Sequence, residues 1–430
     1  MLPITDIKTF FQRQETKDIF ARIYGNDNNV FSLQEKRYTG LIDKFQAKYE
    51  AKEIHLFSTS GRTEIGGNHT DHNHGRVLCA GINLDSIAIV AKTLENCINI
   101  TSEGFAEEFS VDLNDLAVND SEAGTTTALI RGIAARFKEQ GYNIGGFNAC
   151  IQSDVLQGSG LSSSASIEVL IGSILNGLYN KNKVDAKEIA IIGQYAENVY
   201  FKKPCGLMDQ TACALGGIIT IDFNDPENPV VEKIDFDFDK TGYVLAVVDT
   251  GGSHADLTDD YASVPTEMKS IARDLGQDVC RGLSADSIIE RIIGLREKNG
   301  DRAILRAFHF IFDNDRVVDQ VRSLKQGDFT KFLSYVTASG NSSWKWLQNC
   351  YTTKAPQEQG VTLALAITEI FLNKIGEGAC RVHGGGFAGT IQVFLPKNSL
   401  HDFKKIMQPV FGDNAITVLS VRQPGATQII

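Results

Sequence analysis

Apolar residues recur at near-helical spacing across the first fifty positions, where Leu33, Tyr38, Leu41, Phe45 and Tyr49 fall on one side of a helix. Ser32 with Glu35 makes a capping box ahead of that run, so the stretch predicts two helices. Strand signals follow at Ile54 to Phe57 and Ser86 to Ala91. Cys97 to Ile100 and Phe109 to Val111 pair as a predicted hairpin. Thr125 to Lys138 reads as a helix, Phe147 to Ile151 as a strand, and Ser163 to Leu178 and Ala186 to Phe201 as two strong helices. Strands at Ile218 to Phe223 and Tyr243 to Val248 precede a long helical region from Thr258 to Leu372, broken near Gly300, Gly327 and Lys354. The chain closes with strands at Gly378 to Val382 and Thr390 to Leu395, a helix at Leu400 to Phe411, and a strand at Ala415 to Val421. Helices and strands that do not strictly alternate predict an α+β fold. Asn224 to Pro229 is the best linker candidate and sets two expected domains, 1–225 and 226–430, with residues 1–50 as a helical extension.

Composition narrows the partners. The 430 residues carry 42 basic and 53 acidic side chains, a net charge of −11, which repels nucleic acid and anionic membrane surfaces. No apolar run approaches the roughly 20 residues of a membrane span, and the N-terminus does not read as a secretory signal. The eight cysteines are scattered without a Cys-x-x-Cys pair, so they read as reduced thiols and the expected compartment is the cytoplasm.

Candidate chemistry concentrates in four places. In DVLQGSGLSSSASIEVLIG a strand ends, Gly158 and Gly160 allow a tight turn, and Ser162, Ser163 and Ser164 open an apolar helix. Free amides and the positive dipole end at such a terminus suit an anion, although a capped helix after a glycine turn has the same pattern. No Walker-type phosphate loop is present. STSGRTEIGGNHTDHNHGR reads as a strand running into a polar loop with Arg62, Glu64, Asn68, His69, Asp71, His72, Asn73 and His74. This suits a polyol better than a metal, because the remaining histidines (His254 among them) form no matching cluster. In CRVHGGGFAGTIQVFLP the glycines spell G-x-G-x-x-G, but a strand rather than a helix follows, which excludes a dinucleotide fingerprint. Finally, Glu197 sits on an amphipathic helix and Asp209 follows the Pro204–Gly206 break in an otherwise apolar run, as a cap or as a carboxylate with tuned proton affinity.

The order and spacing of these stretches resemble the galactokinase branch of the GHMP kinases from about Ile54 to the C-terminus. GRTEIGGNHTDHNHG is similar to the signature GRVNLIGEHTDYNGG, and LQGSGLSSSAS to the nucleotide loop P-x-G-x-G-L-S-S-S-A-S. CGLMDQ matches C-G-[IL]-M-D-Q, and RVHGGGFAGT is similar to R-M-T-G-G-G-F-G-G. The resemblance implies a two-domain α+β GHMP kinase fold with its active site in the interdomain cleft, and phosphorylation of galactose by MgATP. It implies Asp209 as the catalytic base and Arg62 as its partner. Asn68, His69, Asp71, Gly206 and Tyr261 would bind the sugar. Gly158, Ser159, Gly160, Leu161, Ser162, Ser163 and Ser164 would wrap the ATP phosphates, and Ser163 or Ser164 with Glu197 would hold Mg²⁺. Phosphoryl transfer needs mainly positioning and charge neutralisation, which this set provides.

Several positions depart from the pattern. Asn68 replaces the glutamate that the resemblance associates with the sugar 6-hydroxyl. An amide still donates and accepts there, while loss of the charge also suits a galacturonate carboxylate or the missing 6-hydroxyl of arabinose. His72 replaces a tyrosine, His74 a glycine, Leu156 the loop proline, and Tyr261 lacks the usual Y-N-x-R-R context. A sugar- and ATP-responsive regulator without turnover is the alternative from another class, and intact Arg62 and Asp209 argue against it.

Overall fold

A computed structural model describes the chain except Gln157 and residues 253–256, so His254 lies outside the described residues. The N-terminal segment forms β1 (Leu2–Pro3), α1 (Ile7–Phe10), α2 (Gln14–Tyr24) and α3 (Asn28–Lys48). The cap of α3 is Asp27, which accepts from the Asn29 amide. Ser32 is therefore inside the helix and Leu33 faces solvent, while Tyr38, Leu41 and Phe45 are buried. The earlier carboxylate is the better-placed acceptor for the free amides of the first turn.

Next come β2 (Glu53–Gly66), β3 (Arg76–Lys92), β4 (Cys97–Ser102), β5 (Phe109–Asp112), α4 (Thr126–Glu139) and β6 (Phe147–Ser153). They are followed by α5 (Ser163–Asn180), α6 (Ala186–Tyr195), α7 (Met208–Leu215), β7 (Ile218–Asp222) and β8 (Val230–Ile234). These strands form one sheet with the path β1-β2-β3-β6-β4-β5, in which β7 also pairs with β3 and with β8. All its pairings are antiparallel except β4 with β6. The two-residue period of a strand sends neighbours to opposite faces. Ile54, Leu56, Ile87 and Ile89 pack under α2 and α3, while Phe57, Ala88 and Val90 pack against α4–α7. The N-terminal extension thus covers a sheet face that would otherwise be bare.

The remaining chain forms β9 (Tyr243–Asp249), α8 (Thr258–Asp274), α9 (Ala285–Glu290), α10 (Ile292–Lys325), α11 (Phe329–Ser342) and α12 (Gly360–Ile375). It ends with β10 (Ala379–Val382), β11 (Thr390–Pro396), α13 (Leu400–Phe411), β12 (Ile416–Leu419) and β13 (Thr427–Gln428). β10-β11-β9-β12 make a second, antiparallel sheet, and β13 returns to pair with β2. The helical break predicted at Gly300 is real, with φ 79° inside α10. Leu78 and Ile218 of the first sheet share a core with Leu245, Val247 and Phe394 of the second and with α10 and α11. The two halves are therefore packed together.

Two expectations need correction. The segment from Ser58, read as the start of a polar loop, continues as β2 to Gly66, with strand pairing to β3 through two register shifts. Its polar side chains look like a loop in sequence because their partners come from elsewhere in the chain. Asn224 to Pro229, read as a linker, is the turn of the β7–β8 hairpin, and the chain changes sheets between Ile234 and Tyr243. Among the described residues no helix is long and apolar enough to cross a membrane.

Candidate active site

Arg62 lies on β2 and Asp209 in the first turn of α7, where the positive end of the helix favours a carboxylate. Their side chains meet in a fork: Arg62 Nε donates to Asp209 Oδ1 and Nη2 to Oδ2, each at 2.7 Å. Arg62 Nη1 also donates to the Gly160 carbonyl, and the Ser162 hydroxyl donates to Asp209 Oδ2. Burial would raise the Asp209 carboxyl, but Arg62, Ser162 and Lys203 together hold it below the usual range. The side chain of Asp209 is 33% exposed against 7% for Arg62, so the carboxylate is the open end of the pair.

The loop before α5 is shaped to serve this pair. Gly160 has φ 71° and packs against the third glycine turn, where a Cβ would stand 3.1 Å from His383 Nδ1. Ser162 adopts the left-handed conformation (φ 60°, ψ 60°) and does not cap the helix. That conformation costs a non-glycine residue roughly 1 kcal/mol, and here it turns the hydroxyl to Asp209. The Leu161 carbonyl accepts from the Arg62 amide at 3.1 Å, and Thr390 Oγ1 donates to the Ser159 carbonyl at 2.9 Å. The loop is thus tied to β2 on one side and β11 on the other. Beside it lies a cavity of about 1020 Å³, bordered by Ser163 and Ser164 and walled by apolar side chains including Phe105, Phe109 and Leu129. Sequence reasoning missed those walls, since a hairpin and a helix that carry no polar motif supply them.

The residues expected at the sugar divide. Asp71 lies against Gly206, where a Cβ would come within 2.3 Å of Asp71 Oδ2, so glycine is needed for the approach. His69 lies within hydrogen-bond distance of the Gly385 carbonyl (2.8 Å), and burial keeps its ring neutral. Tyr261 packs on Gly385 and donates to the Gly386 carbonyl at 3.1 Å. Asn68 is placed differently from expectation. It is fully buried, its Nδ2 donates to Glu64 Oε1 (2.9 Å) and the Gly384 carbonyl (2.7 Å), and its Oδ1 accepts from Asn349 and Ser343. Every hydrogen-bonding position of that amide is taken by protein, so it ties β2 to the third glycine turn and the second half. The rings of His69 and His72 sit 6.4 Å apart, and among the described residues no group of three metal-ligating side chains occurs.

Glu197 is buried on the wide helical turn after α6. Its Oε1 accepts from Lys203 Nζ and its Oε2 from Gln210 Nε2, each at 2.9 Å. The same Gln210 nitrogen donates to Glu168 Oε2 at 2.9 Å, and burial together with Glu197 pushes the Glu168 carboxyl well up. A carboxylate already holding an ammonium, with serine hydroxyls on a neighbouring helix, is a hard-oxygen donor set that fits Mg²⁺.

Comparison with known proteins shows what this chain is similar to. Residues 128–217 match the GHMP kinases N terminal domain, and residues 43–92 match the galactokinase galactose-binding signature. A galactokinase of Actinobacillus pleuropneumoniae serotype 5b is 29% identical over 85% of this chain and 91% of its own length. One of Streptomyces coelicolor is 28% identical over 86% and 92%. The chain is similar to the galactokinase branch of the GHMP kinases over most of its length. The Lactococcus lactis galactokinase structure complexed with galactose superposes with a TM-score of 0.78 at 22% identity, covering 91% of this chain and all of that one. Mevalonate kinase of Methanococcus jannaschii gives 0.61 at 18% identity, covering 86% and 99%. The fold is therefore the two-domain α+β GHMP kinase fold.

Within that family one departure becomes legible only with the structure. The branch signature has asparagine where this chain has Glu64, and glutamate where it has Asn68. The carboxylate and the amide have exchanged places, and in this chain Asn68 donates to Glu64. Glu64 then pairs with buried Arg381 at 2.9 Å, while burial still lifts its carboxyl above the usual range against the pull of Arg381 and Arg62.

Proposed function

We propose that this protein is a galactose 1-kinase that moves the γ-phosphoryl group of ATP to the anomeric hydroxyl. The observation that carries this reading is the Arg62–Asp209 fork, held by Ser162 at the same end of α5 that borders the large cavity. The cavity takes the nucleotide, with its base against the apolar walls and its phosphates at Gly158 to Ser164, where helix amides and dipole favour an anion. The sugar lies at Asp71, His69, Gly206 and Tyr261, with its anomeric oxygen at Asp209. That oxygen attacks the γ-phosphorus, the bond to the bridging β-oxygen breaks, charge leaves on ADP, and Asp209 takes the hydroxyl proton.

Because Arg62 holds Asp209 at low pKa, the carboxylate is present at neutral pH but is a weak base. Proton transfer then belongs late, after the loose transition state has formed. Arg62 keeps the carboxylate aimed and offsets charge at the reacting oxygens. Mg²⁺, held by Glu197 and Ser163 or Ser164, would neutralise phosphate charge, and Lys203 would yield Glu197 to it. The domain division falls between β8 and β9, so Arg62, Asp71 and Asp209 come from one domain and Tyr261 from the other. An ATP-dependent sugar kinase works where ATP is, which supports the cytoplasm.

The test is coupled ADP release with MgATP against galactose, galacturonate, arabinose, N-acetylgalactosamine and glucose under one set of conditions. Galactose giving the highest kcat/KM is the expected result. Another sugar winning would overturn the substrate, and no ADP release with any of them would overturn the kinase.

A further inference from the structure

The N-terminal extension has one charged side chain aimed into the protein beneath it. The side chain of Arg37 on α3 is 8% exposed, with its guanidinium over Asp85 of β3 and the end of β6, the strand that leads into the nucleotide cavity. Its Nη1 donates to Asp85 Oδ1, and Nη2 donates to the Asp85 carbonyl (3.0 Å) and, more distantly, to the Gln152 carbonyl (3.5 Å). Its Nε lies 3.1 Å from Asp154 Oδ2. Asp154 borders the cavity and begins the segment that becomes the phosphate loop. Further along the same helix, Lys44 pairs with Glu103. Lys48 lies 3.2 Å from Glu108, which also accepts from the hydroxyl of Tyr49 just past the helix end. Glu103 is on the cavity rim, and Glu108 flanks Phe109 of its wall. One helix thus touches both segments between which the cavity opens.

The charges balance around Arg37. Arg37 and Arg422 share fully buried Asp85, and Asp154 supplies the second carboxylate. Without Arg37, Asp154 loses the cation that offsets burial, Asp85 and Glu103 at the mouth of a site meant for a polyanion, and the strand end loses its tether.

We infer that α3 acts as a brace for the nucleotide pocket and that Arg37 is a positioning residue for ATP, acting through Asp154 and the 153–156 segment. This rests on the kinase reading above.

The experiment is calorimetric titration of the full chain with MgADP, and of the wild type and the Arg37→Met and Arg37→Lys variants in parallel, with galactose KM and melting temperature recorded for each. Arg37→Met should weaken MgADP about tenfold, and Arg37→Lys, which keeps the charge and loses the fork, about threefold, with galactose KM within about twofold. Arg37→Lys folds if Arg37→Met does not, because the buried carboxylate stays paired. A merely structural role would lower melting temperature and weaken both ligands together. That result, or unchanged MgADP affinity in a folded variant, would overturn the brace. Absence of MgADP binding by the wild type would overturn the kinase reading itself, a separate failure.

Discussion

Two aspartates in this molecule are clamped by arginines, and they differ in what is left over. Asp85 is wholly buried and takes Arg37, Arg422, Tyr24 and Ser58 on its carboxylate, so it has no vacancy for anything from solvent. Asp209 takes Arg62 and Ser162 but keeps a third of its side chain open beside a glycine loop. In both, arginine overcomes a burial penalty that would otherwise raise the pKa, and both titrate below the ordinary range. A depressed carboxylate is therefore not in itself a mark of catalysis. Residual exposure beside the loop that borders a ligand-sized cavity separates the candidate centre from the structural one.

The sharpest way to break the comparison is to remove each carboxylate. Asp209→Ala should lower kcat by roughly 10²–10⁴ and also lower the melting temperature, because buried Arg62 loses its carboxylate, measured by ADP release and thermal unfolding. Activity close to wild type would remove Asp209 from its role. Asp85→Ala should cost more stability, about 3–5 kcal/mol, because two guanidiniums lose their shared partner instead of one. Denaturant unfolding reads that loss.

A smaller effect tests the exchanged pair. Asn68→Glu sets a second carboxylate against Glu64 and should destabilise by roughly 2 kcal/mol. The double change Glu64→Asn with Asn68→Glu restores one amide and one carboxylate and should recover most of it. If the single change instead alters sugar preference at full stability, Asn68 reads the substrate after all.

The smallest effect is with pH. Asp85 and Asp209 have folded pKa values below the unfolded value of about 3.9. Their contribution is fully present above that value and is lost as pH falls through the folded values. Unfolding free energy should therefore be flat with respect to these groups from pH 7 down to about 4 and drop below it. Asp85→Asn should flatten the drop more than Asp209→Asn, since two arginines contact Asp85 directly and one contacts Asp209.

Much of the candidate site was legible before any coordinates. Gly158 to Ser164, Arg62 and Asp209 fall in contiguous motifs whose spacing alone implies a glycine turn, a helix start and an acid after a chain break. What misled were polar residues whose partners are distant. Asn68 reads as a surface ligand because its partners Gly384 and Asn349 are more than two hundred and eighty positions away. Arg62 and Glu64 read as loop residues for the same reason, and Asn224 to Pro229 reads as a linker because a hairpin turn and a domain linker use the same residue types.

Sequence alone determined the local chemistry: the strand and helix periods, the glycine turn before α5, the acid near α7, and the resemblance to a family. Those depend on neighbours within a few positions, where backbone sterics and hydrogen bonding act. Tertiary structure decided which carboxylate stays open, which amide is consumed inside, and that α3 pairs with carboxylates bordering the cavity. Burial, desolvation and charge pairing arise from contacts between distant segments, and no short stretch of sequence contains both partners.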